Sequence, residues 1–198
     1  MQQSEKDSNL SLLGFIDDNR SLAGKVLNGL PILGDWSWFD GVETRELAVI
    51  CGVGAPHICQ SLTTRATDRG LTFANAISPA ASVAQSAKIG QGVTLFPNTV
   101  VSIDCELADF CVVNVGASIS HDTKIGRYSN INPGARLAGN VTIGEGCYVG
   151  MGASVIQGRS VGNWTVVGAG AVVTRDLPEN VTAVGVPAKI IKTHGKET

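Results

Sequence analysis

No stretch of about 20 apolar residues occurs in the chain, so no segment is long enough to cross a bilayer as a helix. Charge is scarce as well. Only 16% of the 198 residues are charged and the net is −2, which leaves no basic footprint for a nucleic acid. Histidine occurs three times, so proton transfer near neutral pH has few imidazoles to draw on. The five cysteines form no CxxC pair and no cysteine–histidine spacing of the kind that holds zinc, so no metal is expected. They read as buried free thiols, in keeping with a reducing compartment. The opening Met1-Gln2-Gln3-Ser4-Glu5-Lys6-Asp7 has neither the basic nor the apolar part of a signal peptide. The expectation is a cytoplasmic protein that binds neither nucleic acid nor membrane.

What the chain does have is a rhythm. An aliphatic residue falls at every sixth position from Ile77, Val83, Ile89 and Leu95 through to Val167 and Val173, without a break. Four positions later sits a small side chain, as at Ala87, Thr99, Cys105, Cys111, Ala117, Ser129 and Cys147. Glycine often follows the aliphatic directly (Ile89-Gly90, Ile125-Gly126, Val149-Gly150) and reads as a source of positive φ at turns. A period of six fits neither a helix nor a flat strand. It fits a parallel β-helix of the left-handed, hexapeptide-repeat kind, in which six residues build one side of a triangular prism. Three hexapeptides make a coil of 18 residues, so the 17 repeats make five to six coils, stacked to a height of about 27 Å at about 4.8 Å per strand. No loop interrupts the run, and flat sides with few polar groups are usually covered by oligomerisation.

Ahead of the repeat the pattern changes. Leu12 to Ile16 reads as a short buried strand closed by the turn Asp17-Asp18-Asn19, and Glu46 to Cys51 as a second strand entering Gly52-Val53-Gly54. A helix is expected from about His57 to Asp68, with Gly70 as its stop and a third strand from Leu71 to Ile77. That order is the βαβ grammar of a small Rossmann-like α/β unit. The fold expected is therefore mainly β, with a truncated α/β domain over residues 1–77, a β-helix over 78–176 and a closing segment over 177–198.

Only one histidine, His121, lies inside the repeat, two positions after a core aliphatic and facing outward. Asp122 follows it, and a neighbouring carboxylate favours the imidazolium formed when the ring accepts a proton. Gly139 lies 18 residues on, one full coil, so its N–H is expected roughly 5 Å away, within reach of an oxyanion. The same residues read equally well as solvated polar side chains and a corner turn. The period places them together without stating a purpose.

At these residues the sequence resembles the hexapeptide-repeat acetyltransferases of the sugar O-/N-acetyltransferase type, which acetylate sialic acid or nucleotide-linked 4-amino sugars. The resemblance rests on Gly14-Phe15-Ile16-Asp17-Asp18, Asn28-Gly29-Leu30-Pro31-Ile32-Leu33-Gly34, Ile119-Ser120-His121-Asp122, Ile131-Asn132-Pro133-Gly134, Leu137-Ala138-Gly139-Asn140 and Gly185-Val186-Pro187-Ala188-Lys189. It implies a homotrimer with acetyl-CoA between adjacent prisms and a nucleotide-sugar at the N-terminal domain. It implies His121 as general base, Asp122 as its acidic partner and the Gly139 N–H on the thioester carbonyl. Asn130, Met151 and Ala169 match positions near the CoA arm, Asn130 standing where relatives often carry a second histidine. Asp17 and Asp18 match an acidic pair near the nucleotide, though a solvated turn explains them too. Gly52 could approach a phosphate or belong to an ordinary βα turn. Relatives begin with a strand and a glycine-rich loop that this sequence lacks, starting at what resembles the second strand.

The function expected is transfer of acetyl from acetyl-CoA to an amino group of a nucleotide-linked 4-amino sugar, the choice of acceptor resting on the resemblance alone. The alternatives are O-acetylation of sialic acid or another sugar, and a non-catalytic structural subunit. A β-helix carbonic anhydrase would need three histidine ligands where the repeat has one. Trp36 and Trp38 read as packing, His57 as structural, and Trp164 as an outward residue open to a subunit or adenine contact. Lys189 reads either as a partner for a CoA phosphate or as a solvated tail.

Overall fold

The N-terminal region folds into two small sheets rather than one, in a computed structural model that describes residues 11–195. Strands β1 (Phe15–Ile16), β2 (Val26–Leu27) and β3 (Leu30–Gly34) form the first, in the order β1-β3-β2 with β1 parallel to β3. The β2–β3 hairpin turns at Asn28-Gly29, both left-handed (φ 50° and 80°), as a two-residue turn of matching twist requires. Strands β4 (Ala48–Val49) and β5 (Thr72–Phe73) pair in parallel as the second sheet, with helix α1 (Pro56–Asp68) as the crossover. Pro56 suits the first helical position because its missing N–H would have had no intrahelical partner.

No ladder joins β1 to β4. Side chains do: Trp36, Phe39, Ala66 and Leu71 form a buried cluster with Ile16 and Val49 packed around it. Arg65 and Arg69 lie over the Trp36 ring, 4.6 and 5.7 Å from its centroid, so Trp36 is held by packing and cation–π contact. The strands here are shorter than their sequence runs suggest. Leu12 and Leu13 are exposed, leaving Phe15–Ile16, and Glu46 to Cys51 contributes only Ala48–Val49. The run Leu71 to Ile77 breaks in two, because Asn75 turns to the prism, its Nδ2–H donating to Gly90 O (3.0 Å) and its Oδ1 accepting from Val93 N–H (2.9 Å). A strand extends only as far as a neighbour satisfies its backbone.

From β6 (Ala76–Ile77) to β22 (Val172–Val173), seventeen two-residue strands start every six residues. The first three, β6, β7 (Ser82–Val83) and β8 (Lys88–Ile89), open the three faces of a left-handed prism. From the first of these strands to Ser154–Val155, each pairs in parallel with the one 18 residues on, as in Val101↔Ile119 and Ile131↔Val149. From Leu95 to Val173 every repeat aliphatic is at most 2% exposed. Each such side chain contributes about 1.5–3 kcal/mol through burial. At the C-terminal end β23 (Val181–Val184) and β24 (Lys189–Thr193) extend the β6 face beyond β21 (Val166–Val167). Lys189 is exposed in β24. Among the described residues no helix is long and apolar enough to cross a membrane.

The glycines behave differently from the sequence expectation. Left-handed φ falls three positions after the aliphatic, at Asn98, Asp104, Phe110, Asp122, Tyr128, Asn140 and Trp164 as well as at glycines. The glycine directly after the aliphatic instead permits close stacking. A Cβ on Gly126 would sit 2.5 Å from the Gly144 carbonyl carbon, one coil away.

One corner of the prism carries an aromatic column that docks the N-terminal region. Phe110 and Tyr128 stack at 5.4 Å, Phe73 meets Phe110 edge-on at 4.8 Å, and His57 stacks on Trp164 at 4.3 Å. Trp164, expected to offer an outward contact, is covered by a histidine of its own chain. His57, read as structural, makes this packing contact from the start of α1.

Candidate active site

His121 stands at the corner where the β7 face turns into the β8 face, between β13 (Ser118–Ile119) and β14 (Lys124–Ile125). Asp122 takes the left-handed position of that corner (φ 58°), which a short polar side chain tolerates better than most. The turn brings its carboxylate back onto its neighbour, and His121 Nδ1–H donates to Asp122 Oδ2 at 2.8 Å. An ionised carboxylate only accepts, so Nδ1 carries a proton, and in the neutral ring the free lone pair is left on Nε2. The two side chains are 49% and 59% exposed, open to a substrate while still oriented by each other.

One coil further on, Gly139 lies against the imidazole. A Cβ at that position would be 2.5 Å from both Nε2 and Cε1 of His121, so only glycine leaves the ring its place. Asn140 N–H donates to His121 O at 2.8 Å, locking the two corners together. Among the described residues no carbonyl receives the Gly139 N–H. The imidazole and the backbone of Gly139, whose N–H is unspent, thus lie against each other. One coil before His121, Ile103 is 56% exposed and gives that corner an apolar border.

The other CoA-side residues lie elsewhere in a single chain. Met151 and Ala169 are exposed, one coil apart, at the corner between the β6 and β7 faces. Among the described residues neither of their N–H groups meets a carbonyl, while Met151 O accepts from Gly170 N–H at 2.8 Å. The β7 face separates them from His121 and Gly139. Asn130, on β15 (Asn130–Ile131) of the β6 face, is 3% exposed and turned under the N-terminal loop. Its Nδ2–H donates to Gly54 O at 2.6 Å, and its Oδ1 has no partner. It does not reach His121 within one chain.

At the N-terminal side, Asp17 Oδ1 accepts from Asn19 N–H (2.8 Å) and Asp18 pairs with Arg65 (3.4 Å), both on an exposed turn. Gly52 borders a cavity of about 370 Å³ between its own loop and the β6 face. Cys51, Val53, Phe96, Val112 and Asn114 are among the walls, whereas Asp17 and Asp18 are not. Sequence reasoning assigned nothing to Phe96 or Asn114. Their 18-residue separation puts them in one column, but nothing in the sequence says that the Gly52 loop covers that column.

Comparison with known proteins agrees with this architecture. The family described as bacterial transferase hexapeptide (six repeats) matches residues 140–175. Curated protein sequences give no match. Among solved structures, the acetyltransferase domain of PglB from Neisseria gonorrhoeae is 34% identical over 90% of this chain and 86% of its own, with a TM-score of 0.85; one of its structures holds acetyl coenzyme A. The GDP-perosamine N-acetyltransferase of Caulobacter crescentus, in complex with CoA and GDP-perosamine, is 35% identical over 90% and 84%, also at 0.85. WeeI from Acinetobacter baumannii is 25% identical over 90% and 85%, at 0.64. With such identity over most of both chains, and the same stacked prism, the chain is an acyltransferase that belongs to the hexapeptide-repeat acetyltransferases, alongside the sugar N-acetyltransferases.

Proposed function

We propose that the chain transfers acetyl from acetyl-CoA to the amino group of a nucleotide-linked 4-amino sugar, with His121 as general base. The observation that carries this reading is the corner itself: Nδ1 committed to Asp122, Nε2 without a partner, and the Gly139 backbone stacked against the ring. His121 Nε2 takes the proton from the acceptor amine as its nitrogen attacks the thioester carbonyl, an assistance worth about 10²- to 10⁴-fold. Asp122 holds the ring and stabilises the imidazolium. The Gly139 N–H donates to the carbonyl oxygen as it gains charge. Alignment of the two substrates on a rigid corner contributes much of the remainder. The Caulobacter enzyme solved with CoA and GDP-perosamine supports this choice of acceptor.

The free N–H groups of Met151 and Ala169, one coil apart on an exposed edge, fit an extended donor arm rich in carbonyl and phosphate acceptors. They lie across the β7 face from His121, so donor and base are brought together by a second copy. That face exposes Val100 and Ile156, and its corner with the β6 face exposes Val115 and Met151, the apolar surface a homotrimer would cover. Residues 78–176 then supply the chemistry, the segment up to residue 77 holds the nucleotide-sugar through Gly52 and the Asp17-Asp18 turn, and residues 177–198 close the prism. Five free thiols suit a cytoplasmic protein.

The test is thiol release from acetyl-CoA with a panel of GDP- and UDP-linked 4-amino sugars and with free sialic acid. Release with an amino-sugar nucleotide supports the reading. Release with sialic acid alone would transfer the assignment to O-acetylation, and a chain that fails to bind acetyl-CoA at all would be a structural subunit.

A further inference from the structure

The loop that closes the cavity has one polar attachment to the prism. Gly52, Val53 and Gly54 follow β4 and border the cavity opposite the β6 face, before α1 begins at Pro56. Among the described residues, the hydrogen bond from Asn130 Nδ2–H to Gly54 O, at 2.6 Å, is the only one that ties these three residues to the β-helix. A carbonyl oxygen accepts and never donates, so the Asn130 amide must turn its Nδ2 toward the loop. The approach is close enough to need a glycine: a Cβ on Gly54 would lie 2.8 Å from Nδ2. The contact therefore takes an asparagine from the prism and a bare backbone from the loop.

Asn130 pairs in register with Val112, one coil before it, and Val112 is itself a wall of the cavity. The Asn130 side chain thus stands at one end of the cavity, next to one wall residue and bonded to another. It is 3% exposed, so losing the bond would leave a buried amide without a partner. No charged side chain lines the cavity, and Ser78, Thr94 and Asn114 bring hydroxyl and amide groups to largely apolar walls. A diphosphate would lie there without a counter-charge, whereas an uncharged ring with hydroxyls finds both apolar contact and hydrogen-bond partners.

We propose that Asn130 is a positioning residue for the acceptor: by holding Gly54 down, it sets the height of the roof under which the sugar end of the nucleotide-sugar binds. This rests on the acetyl-transfer reading above and gives the cavity to the acceptor, not to the donor. Asn130 acts through Gly54 and takes no part in proton transfer at His121. A bulkier side chain at this position would lift the loop, so asparagine here goes with a low roof.

The roof and the acceptor are read separately in Asn130→Ala, Gly54→Ala and the double variant. Cys51 reports the roof, being half-buried in the cavity wall while the other four thiols are buried. The folded chain is pulsed with N-ethylmaleimide and digested with trypsin, and fragmentation of the residue 46–65 peptide separates label on Cys51 from label on Cys59. Loss of one hydrogen bond is expected to speed Cys51 labelling by about 2- to 10-fold in Asn130→Ala. Gly54→Ala is expected to do the same, and the double variant to label no faster than either single one, because both substitutions break one contact. With the nucleotide-linked 4-amino sugar that supports thiol release, Asn130→Ala is expected to raise KM for that sugar by a similar factor, more than it changes KM for acetyl-CoA or kcat. Unchanged Cys51 labelling would overturn the tether. Faster labelling with the acceptor KM unmoved would overturn the positioning role. Thiol release with no sugar nucleotide would instead overturn the acceptor reading, and Cys51 labelling would still decide the tether.

Discussion

The prism and the N-terminal region use strands of similar length to opposite effect. Both are built largely from two-residue strands, yet every repeat aliphatic from Leu95 to Val173 is buried, whereas Ile32 is the only buried residue in β1 to β5. Most prism strands have a parallel neighbour on each side, 18 residues before and 18 after. In the N-terminal sheets only β3 has two, and α1 with the aromatic column does the holding instead. Short strands thus bury a continuous core when they stack periodically and leave much of their surface open when they do not. The proposed base and oxyanion donor sit on the densely paired body, and the proposed acceptor site on the sparsely paired one, which suits chemistry that needs fixed geometry.

That division of labour can be broken by kinetics. His121→Ala removes the proposed base, and kcat is expected to fall by about 10²- to 10⁴-fold with the fold intact by circular dichroism. An unchanged kcat would remove the chemistry from this corner. Gly139→Ala is expected to cost about 10²-fold in kcat, because its Cβ would sit 2.5 Å from His121 Nε2 and push the ring from its place. Equal activity in that variant would show that the corner is looser than the stacking implies. Asp18→Asn should be mildest, raising KM for the nucleotide-sugar by a few fold and leaving kcat alone, since Asp18 lies on an exposed turn paired with Arg65. A fall in kcat as large as that of His121→Ala would erase the contrast between the regions.

Much of the prism was legible in advance because a strict period makes distant positions neighbours. Once one coil is known to be 18 residues, His121 and Gly139 must stack, and so must Phe110 with Tyr128. The glycines after the aliphatics show the limit of such reading. Their recurrence was visible, but whether they supply positive φ or close approach depends on the backbone of the next coil. Asn130 shows it again: its place on the β6 face follows from the period, its burial under Gly54 does not.

The residue order by itself determined the prism, its register, and the meeting of His121, Asp122 and Gly139, since parallel pairing at a fixed interval allows one alignment of the hydrophobic columns. Only the tertiary structure decided the split of the N-terminal sheet, the covering of Trp164 by His57 and the cavity beside Gly52. These arise between segments with no shared period. Their meeting depends on how side chains of unlike shape pack, and a one-dimensional pattern does not encode that.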